Sequence, residues 1–284
     1  MTTPQITLLL TSALLIFGGA VASVLRGRGE SEALRGASRA LYWAGLGVSV
    51  LTLAWHSYTR GSWVPLDNNF DALLWLGLLL LLFVLYVQRR GRLGGLDWFV
   101  MPIVVLLLAG AVVFGRTQPH EYVASVWSLV HRIGAYGGAA ALLIAAGVGM
   151  TYLLAQRRLR SKTLNTGMEL PNLERLEHLT LVNATVGFAL TTVALVLGTV
   201  KIFGGETNLN FYSPKVVLSL LAWGAYAIVL HSPINPSFRG RKVAILSVVG
   251  FVLLVGAIVA TQFVPDPAPE SVHAPDGQQG AFGE

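Results

Sequence analysis

The chain has 284 residues, 54% of them hydrophobic and 12% charged, with a formal net charge of +6. A soluble domain carries about 25% charged residues, so this composition excludes an ordinary water-soluble domain. The lack of cysteine excludes disulfides, thiolate metal sites and a Cys nucleophile.

Eight apolar segments follow in chain order: 6–25, 39–59, 69–88, 98–115, 124–155, 176–203, 213–231 and 243–264. Several approach the roughly 20 residues that cross a bilayer core about 30 Å thick. Water is absent there, so each run must satisfy its backbone hydrogen bonds internally, as a helix. The expected fold is therefore all-α, a polytopic membrane helical bundle of about eight transmembrane helices. Residues 1–264 read as a single transmembrane domain. The first segment has no basic residue ahead of it and ends at Arg26 and Arg28. A signal peptide carries its positive charge in front, so the segment reads as a spanning helix. The fifth and sixth segments exceed a bilayer's thickness, which predicts tilt or projection into water. The tail 265–284 is rich in Pro, Gly, Asp and Gln and lacks periodicity, which predicts disorder.

The net positive charge is explained by topology. The 1–2 link carries Arg26, Arg28, Arg35 and Arg39, and the 3–4 link Arg89, Arg90 and Arg92. The 5–6 link carries Arg157, Arg158, Arg160, Lys162 and Arg175, and the 7–8 link Arg239, Arg241 and Lys242. Only Arg60, Arg116, Lys201 and Lys215 fall on the other side, and Arg132 lies inside the fifth segment. Basic links face the cytoplasm, so both termini are expected on the outer side and no nucleic-acid partner is required. The sequence shows no fixed-period repeat, no Gly-rich phosphate loop, no HExxH and no GxSxG.

Ionisable residues in spanning helices are costly and are functional candidates. Neutral imidazole is a common metal and haem-iron ligand. His131 lies in WSLVHRIGAYGG near the outer end of the fifth segment, with Trp127 one turn earlier on the same face. Gly134, Gly137 and Gly138 follow, and small residues admit a flat ligand or another helix. This pattern suits a haem edge, and equally an interfacial Trp–His pair bonded to a neighbouring helix. His56, in LAWHSYTR, sits at similar depth and could pair with His131 on one iron, or belong to an aromatic belt with Trp55 and Tyr58. His231 and His178 lie at cytoplasmic helix ends, where headgroups or the helix dipole also account for them. His120 and His273 fall in loop and tail. Arg132 suits a haem propionate or snorkelling outward. Asn183 and Thr185 suit interhelical bonds. Asp67 and Asp71 flank the entrance of the third segment, where Asp71 is placed to cap it. Lys215 could meet an anionic ligand at the outer surface.

Three of these stretches resemble the cytochrome c assembly family, which includes the CcsA and CcmC haem-handling proteins and a HemX-like group. PLDNNFDALLWL is similar to the family's PLTNLYESLLFL through Pro65, Leu66, Asn68 and Leu73, with conservative Phe70 and Asp71. WSLVHRIGAYGG resembles the segment in which a His opens a helix after an outer loop. FYSPKVVLSLLAWGAYAIVLHS resembles the WDPKE…WLIYAIYLH segment through Pro214, Lys215, Trp223, Tyr226, Ala227, Ile228, Leu230 and His231. The ordered set covers roughly residues 45 to 264.

The resemblance implies a bundle that presents non-covalent, b-type haem at its outer face, in a multi-pass protein of the bacterial cytoplasmic membrane. Its partners would be membrane lipid and apocytochrome c or other cytochrome c maturation proteins. Activity beyond binding would be a share in a haem-ligation system rather than that of an independent enzyme. By position, His131 corresponds to the outer His before the family's tryptophan-rich WWD segment. His231 falls on a family His at the inner end of its helix, and His273 lies in the region of the later outer His. The WWD segment itself is degenerate. Tyr212 stands in place of a Trp, Ser213 in place of the Asp and Val216 in place of the Glu. Stacking on a porphyrin would fall to Phe211, Tyr212 and Trp127. This points to the divergent HemX-like branch, and keeps open a non-enzymatic membrane scaffold or regulator of haem synthesis or complex assembly.

Overall fold

An apolar run in a bilayer leaves its peptide groups no partners but one another, and each predicted segment is helical. The computed structural model describes residues 3–26, 32–61, 63, 66, 68–90, 96–114, 126–161, 172–204, 212–232, 234 and 238–263. Among them are eight helices: α1 (Thr3–Arg26), α2 (Glu32–Arg60), α3 (Asn69–Arg90), α4 (Leu96–Phe114), α5 (Val126–Arg160), α6 (Leu173–Phe203), α7 (Pro214–Leu230) and α8 (Arg241–Phe263). The described residues contain no strand. His120, His273, Asp67, Phe211 and the tail 265–284 lie outside the described residues.

The helices α1, α3, α4, α5 and α6 are each long and apolar enough to cross a membrane, and α7 is apolar but shorter, at 17 residues. The chain is a polytopic membrane helical bundle. The helix α2 starts at Glu32 rather than at 39, because the stretch bearing Arg35 and Arg39 is also helical. It has the length to span but carries a polar stripe. Ser49, Thr52, His56 and Ser57 are all buried, and Ser49 and His56 bond to α1 and α3.

The longest helix, α5, has 35 residues, or about 50 Å at 1.5 Å per residue. It packs against α3, α4, α6 and α8 and so forms the centre of the bundle. Its seam with α6 is the most extensive in the protein, and small residues explain it. A Cβ on Gly134 would sit 3.0 Å from the Leu190 carbonyl, and one on Gly138 would sit 2.6 Å from Thr191 Cγ2. Backbones this close gain dispersion contacts that lipid cannot offer. Thr191 cannot swing aside without cost, because its hydroxyl donates to Gly187 O at 2.8 Å.

Polar ties hold the remaining helices. Ser12 Oγ donates to Gly45 O at 3.0 Å and lies 2.5 Å from Ser49 Oγ, joining α1 to α2. At the arginine-rich end, Ser23 of α1 donates to the buried Asp97 carboxylate in the first turn of α4. A helix N-terminus favours that negative charge. Gln88 of α3 also reaches Asp97, at 3.5 Å, and Arg39 of α2 donates to the Gln88 carbonyl at 3.4 Å. The buried Tyr226 hydroxyl of α7 lies 2.8 Å from Ser247 O of α8 and 3.1 Å from Leu142 O of α5. These ties place the N-terminal ends of α1, α3 and α5 together with the C-terminal ends of α2 and α6 at the opposite, histidine end.

The α5–α6 seam yields a matched pair of substitutions. Gly138→Leu should lower stability by about 1–3 kcal/mol, the usual cost of overpacking. Gly137→Ala should be nearly neutral, since its Cβ would meet Leu190 Cδ1 at an ordinary 3.4 Å. Thermal unfolding of the detergent-solubilised protein distinguishes the two.

Candidate functional site

The first turns of α5 carry Trp127, Ser128, His131 and Arg132, and α6 runs antiparallel beside them. The His131 ring rests on Gly198 of α6, where a Cβ would lie 3.2 Å from its Cε1. Its Nδ1–H donates to the Ala194 carbonyl at 2.7 Å. That bond fixes the tautomer and leaves the lone pair on Nε2. Among the described residues nothing hydrogen-bonds Nε2. An imidazole oriented by a backbone carbonyl on one nitrogen and open on the other is the usual arrangement of a metal-ligating histidine.

Two cations are bonded around Ser128 at this end of the bundle. Lys201 Nζ of α6 donates to Ser128 Oγ at 2.6 Å. Arg132 Nε donates to Ser128 O at 3.3 Å, and its NH1 donates to Leu66 O at 2.9 Å. Lys201, Arg132 and Lys215 are the basic residues at these ends of α6, α5 and α7. Lys215 is in the first turn of α7, behind Pro214 and the N-cap Ser213. Trp127 is 68% exposed and Tyr212 is 90% exposed, so both are available to a flat ligand and neither is packed into the bundle.

His56 occupies a different setting. It is 3% exposed and its ring lies 4.6 Å from that of Phe70. Asn68 Oδ1 accepts the Asp71 N–H at 2.8 Å, which caps α3 and turns Nδ2 toward His56. That Nδ2 lies 3.1 Å from His56 Nε2, and the Gln5 side-chain amide nitrogen of α1 lies 3.1 Å from Nδ1. Asp71, 1% exposed, lies 3.5 Å from His56 Nε2 and 2.5 Å from Arg60 NH1. Both imidazole nitrogens of His56 are thus in contact with protein groups. Asp71 sits in the first turn of α3, where the helix dipole favours its charge as expected, and also pairs with Arg60, while Asn68 supplies the hydrogen-bonded cap.

The remaining histidines are apart from both. His231 is exposed past the C-terminus of α7, its Nδ1–H donating to Ala227 O at 2.7 Å. His178 is exposed near the start of α6. Both are at the arginine-rich end. Asn183 and Thr185 donate to carbonyls within their own helix, Leu179 O and Leu181 O, and not across a helix interface. Two site residues escaped the sequence reading. Lys201 closes a long apolar helix, a place where a charge is conspicuous. Ser128 carried no local signal, because its partners come from α6 and from its own helix.

A ligand fit follows from these donors. Among the described residues no three His, Asp or Glu converge on one point. A bare ion would therefore have no chelating set, whereas a porphyrin supplies four nitrogens and asks one or two side chains of the protein. The open His131 Nε2 and the neighbouring cations suit an iron and two propionates.

The fold and these sites define a polytopic helical membrane protein with two histidine-centred polar sites at one end. The family described as cytochrome C assembly protein matches residues 63–265, and the chain belongs to that family. A role in cytochrome c biogenesis and the handling of haem follow from the membership. The inner membrane protein YpjD of Escherichia coli (strain K12) is 28% identical over 182 residues, covering 63% of this chain and 67% of the relative. The cytochrome c biogenesis protein CcsA of Mesostigma viride is 23% identical over 219 residues, 67% of this chain and 71% of the relative. The CcsA of Prochlorococcus marinus (strain NATL2A) is 34% identical over 98 residues, 34% of this chain and 31% of the relative. No solved structure matches the chain.

The buried network around Asp71 orders two substitutions. Asp71→Ala strands the Arg60 guanidinium and should cost about 3 kcal/mol. Asn68→Ala removes a helix cap and should cost about 1 kcal/mol. Unfolding midpoints in one detergent give the ranking, and a reversed order would refute it.

Proposed function

We propose that this protein binds haem at the outer face of the bacterial cytoplasmic membrane and presents it to partners in cytochrome c maturation. Support for the haem site comes from one observation above all. The Nδ1–H of His131 is tied to the Ala194 carbonyl, with Nε2 left open. In this reading His131 Nε2 ligates the iron, and Lys215, Arg132 and Lys201 neutralise the propionates. Trp127 and Tyr212 flank the porphyrin from exposed positions. The cofactor's own chemistry is the iron's and the vinyl groups'. The protein's part is to hold, orient and release the haem, in a b-type, non-covalent manner. Partners are membrane lipid and apocytochrome c or other maturation proteins. The arginine-rich ends face the cytoplasm, which puts both termini and the histidine end outside. Residues 1–264 act as one transmembrane domain. His231 sits at the other end of the bundle and is no partner for His131 on one iron.

A second reading rests on the substituted WWD segment. With Tyr212, Ser213 and Val216 in place of the family's Trp, Asp and Glu, the chain would be a HemX-like scaffold or regulator of haem synthesis or complex assembly. The visible spectrum of the purified protein, supplied with haem, separates the two. A Soret band is expected for wild type and its loss for His131→Ala. Lys215→Gln should weaken binding about tenfold, the worth of one charge-assisted hydrogen bond. No Soret band in wild type would establish the scaffold reading.

A further inference from the structure

Among the described residues Leu66 is the one non-glycine with a left-handed backbone, at φ 61°. Leucine adopts that conformation at a cost, because its Cβ crowds the carbonyl oxygen. Such a residue persists only where its surroundings over-determine it. Two sets of contacts do so here. The side chain is buried, at 7% exposure, and the carbonyl accepts Arg132 NH1 at 2.9 Å. Two residues on, Asn68 is 1% exposed and is held from both sides, by the Asp71 N–H on its Oδ1 and by His56 Nε2 on its Nδ2. His56 is in turn backed by Gln5 and by Phe70. The buried imidazole on α2 thus bonds Asn68, two residues along the chain from Leu66, whose carbonyl accepts the Arg132 guanidinium of α5.

We infer that His56 is a positioning residue for the first turns of α5, acting through Asn68 and the Leu66–Arg132 bond to set the place of His131. The two outer histidines then have separate roles. His131 is open on one nitrogen and faces a ligand; His56 is closed on both and aligns the element that carries the first. The consequence for haem rests on the reading of His131 as the ligand. The mechanical part stands on the contacts alone. It also explains why a hairpin wholly outside the family's matched region, α1–α2, is bonded so closely to the start of α3. Gln5, His56 and Arg60 come from the hairpin, and Asn68 and Asp71 come from within the match.

The chain has no cysteine, so Leu66→Cys supplies a single buried thiol whose maleimide labelling reports loosening at this point. In the full-length, detergent-solubilised protein, Arg132→Gln should raise the labelling rate about tenfold, the factor one lost charge-assisted hydrogen bond allows. His56→Leu should do the same, and the double variant should label no faster than either alone. His56→Gln should stay within about twofold of the parent, since an amide can keep the contacts to Asn68 and Gln5. Loaded with haem, the His56→Gln protein should keep the parent's Soret position. Unchanged labelling in His56→Leu, or effects that multiply in the double variant, would overturn the positioning role. So would a Soret shift in His56→Gln, which would make His56 a ligand. Labelling decides the matter whether or not haem binds, so a parent without a Soret band would sink the ligand reading alone.

Discussion

The close approach of α5 and α6 is the constraint on which the site depends. Glycines at 134, 138 and 187 bring the two backbones into contact, and only at that separation can the His131 imidazole reach the Ala194 carbonyl. The same approach brings Lys201 to Ser128. In a bilayer no hydrophobic force draws helices together, because lipid is as apolar as leucine. Packing between small residues therefore has to supply the association, and the polar groups at the seam's end inherit their geometry from it.

A second constraint is the cost of unsatisfied polar groups away from water. The bundle meets it with compact networks at its two ends and few polar contacts between. At the arginine-rich end Asp97 is held by Ser23 and Gln88, beside a helix N-terminus. At the histidine end Asp71, Arg60, His56, Asn68 and Gln5 are linked in one compact network. A buried ion pair of this kind adds little net stability compared with apolar packing, but losing one member is expensive. Such a network specifies one arrangement of helices more than it strengthens it.

Of the aromatic residues in the proposed haem site, Tyr212 and Trp127 are both exposed, and Phe211 lies outside the described residues. A porphyrin at His131 would be gripped less by stacking and more by charge, through Arg132, Lys201 and Lys215. Electrostatic contacts at an exposed surface are weaker and easier to release than buried aromatic ones. That balance is compatible with a carrier whose cargo must leave.

Much of the architecture was legible in the sequence, because the signal for a membrane helix is local. A long apolar run has no alternative to forming a helix in lipid, and the eight helices appear where the eight runs lie. The family could also be read locally, from motifs such as PLDNNFDALLWL, and the matched region bears it out. The roles within the histidine end were not legible. His56 and His131 carry similar aromatic neighbours in sequence, yet one is closed between Gln5 and Asn68 and the other is open beside Gly198. Asp71 stands in the first turn of α3 as expected, but its pairing with Arg60 and the hydrogen-bonded cap from Asn68 were not legible. The reason is physical. Helix formation depends on each segment's own solvent preference, whereas a side chain's chemistry depends on which other helix faces it, and that is decided only when the helices pack.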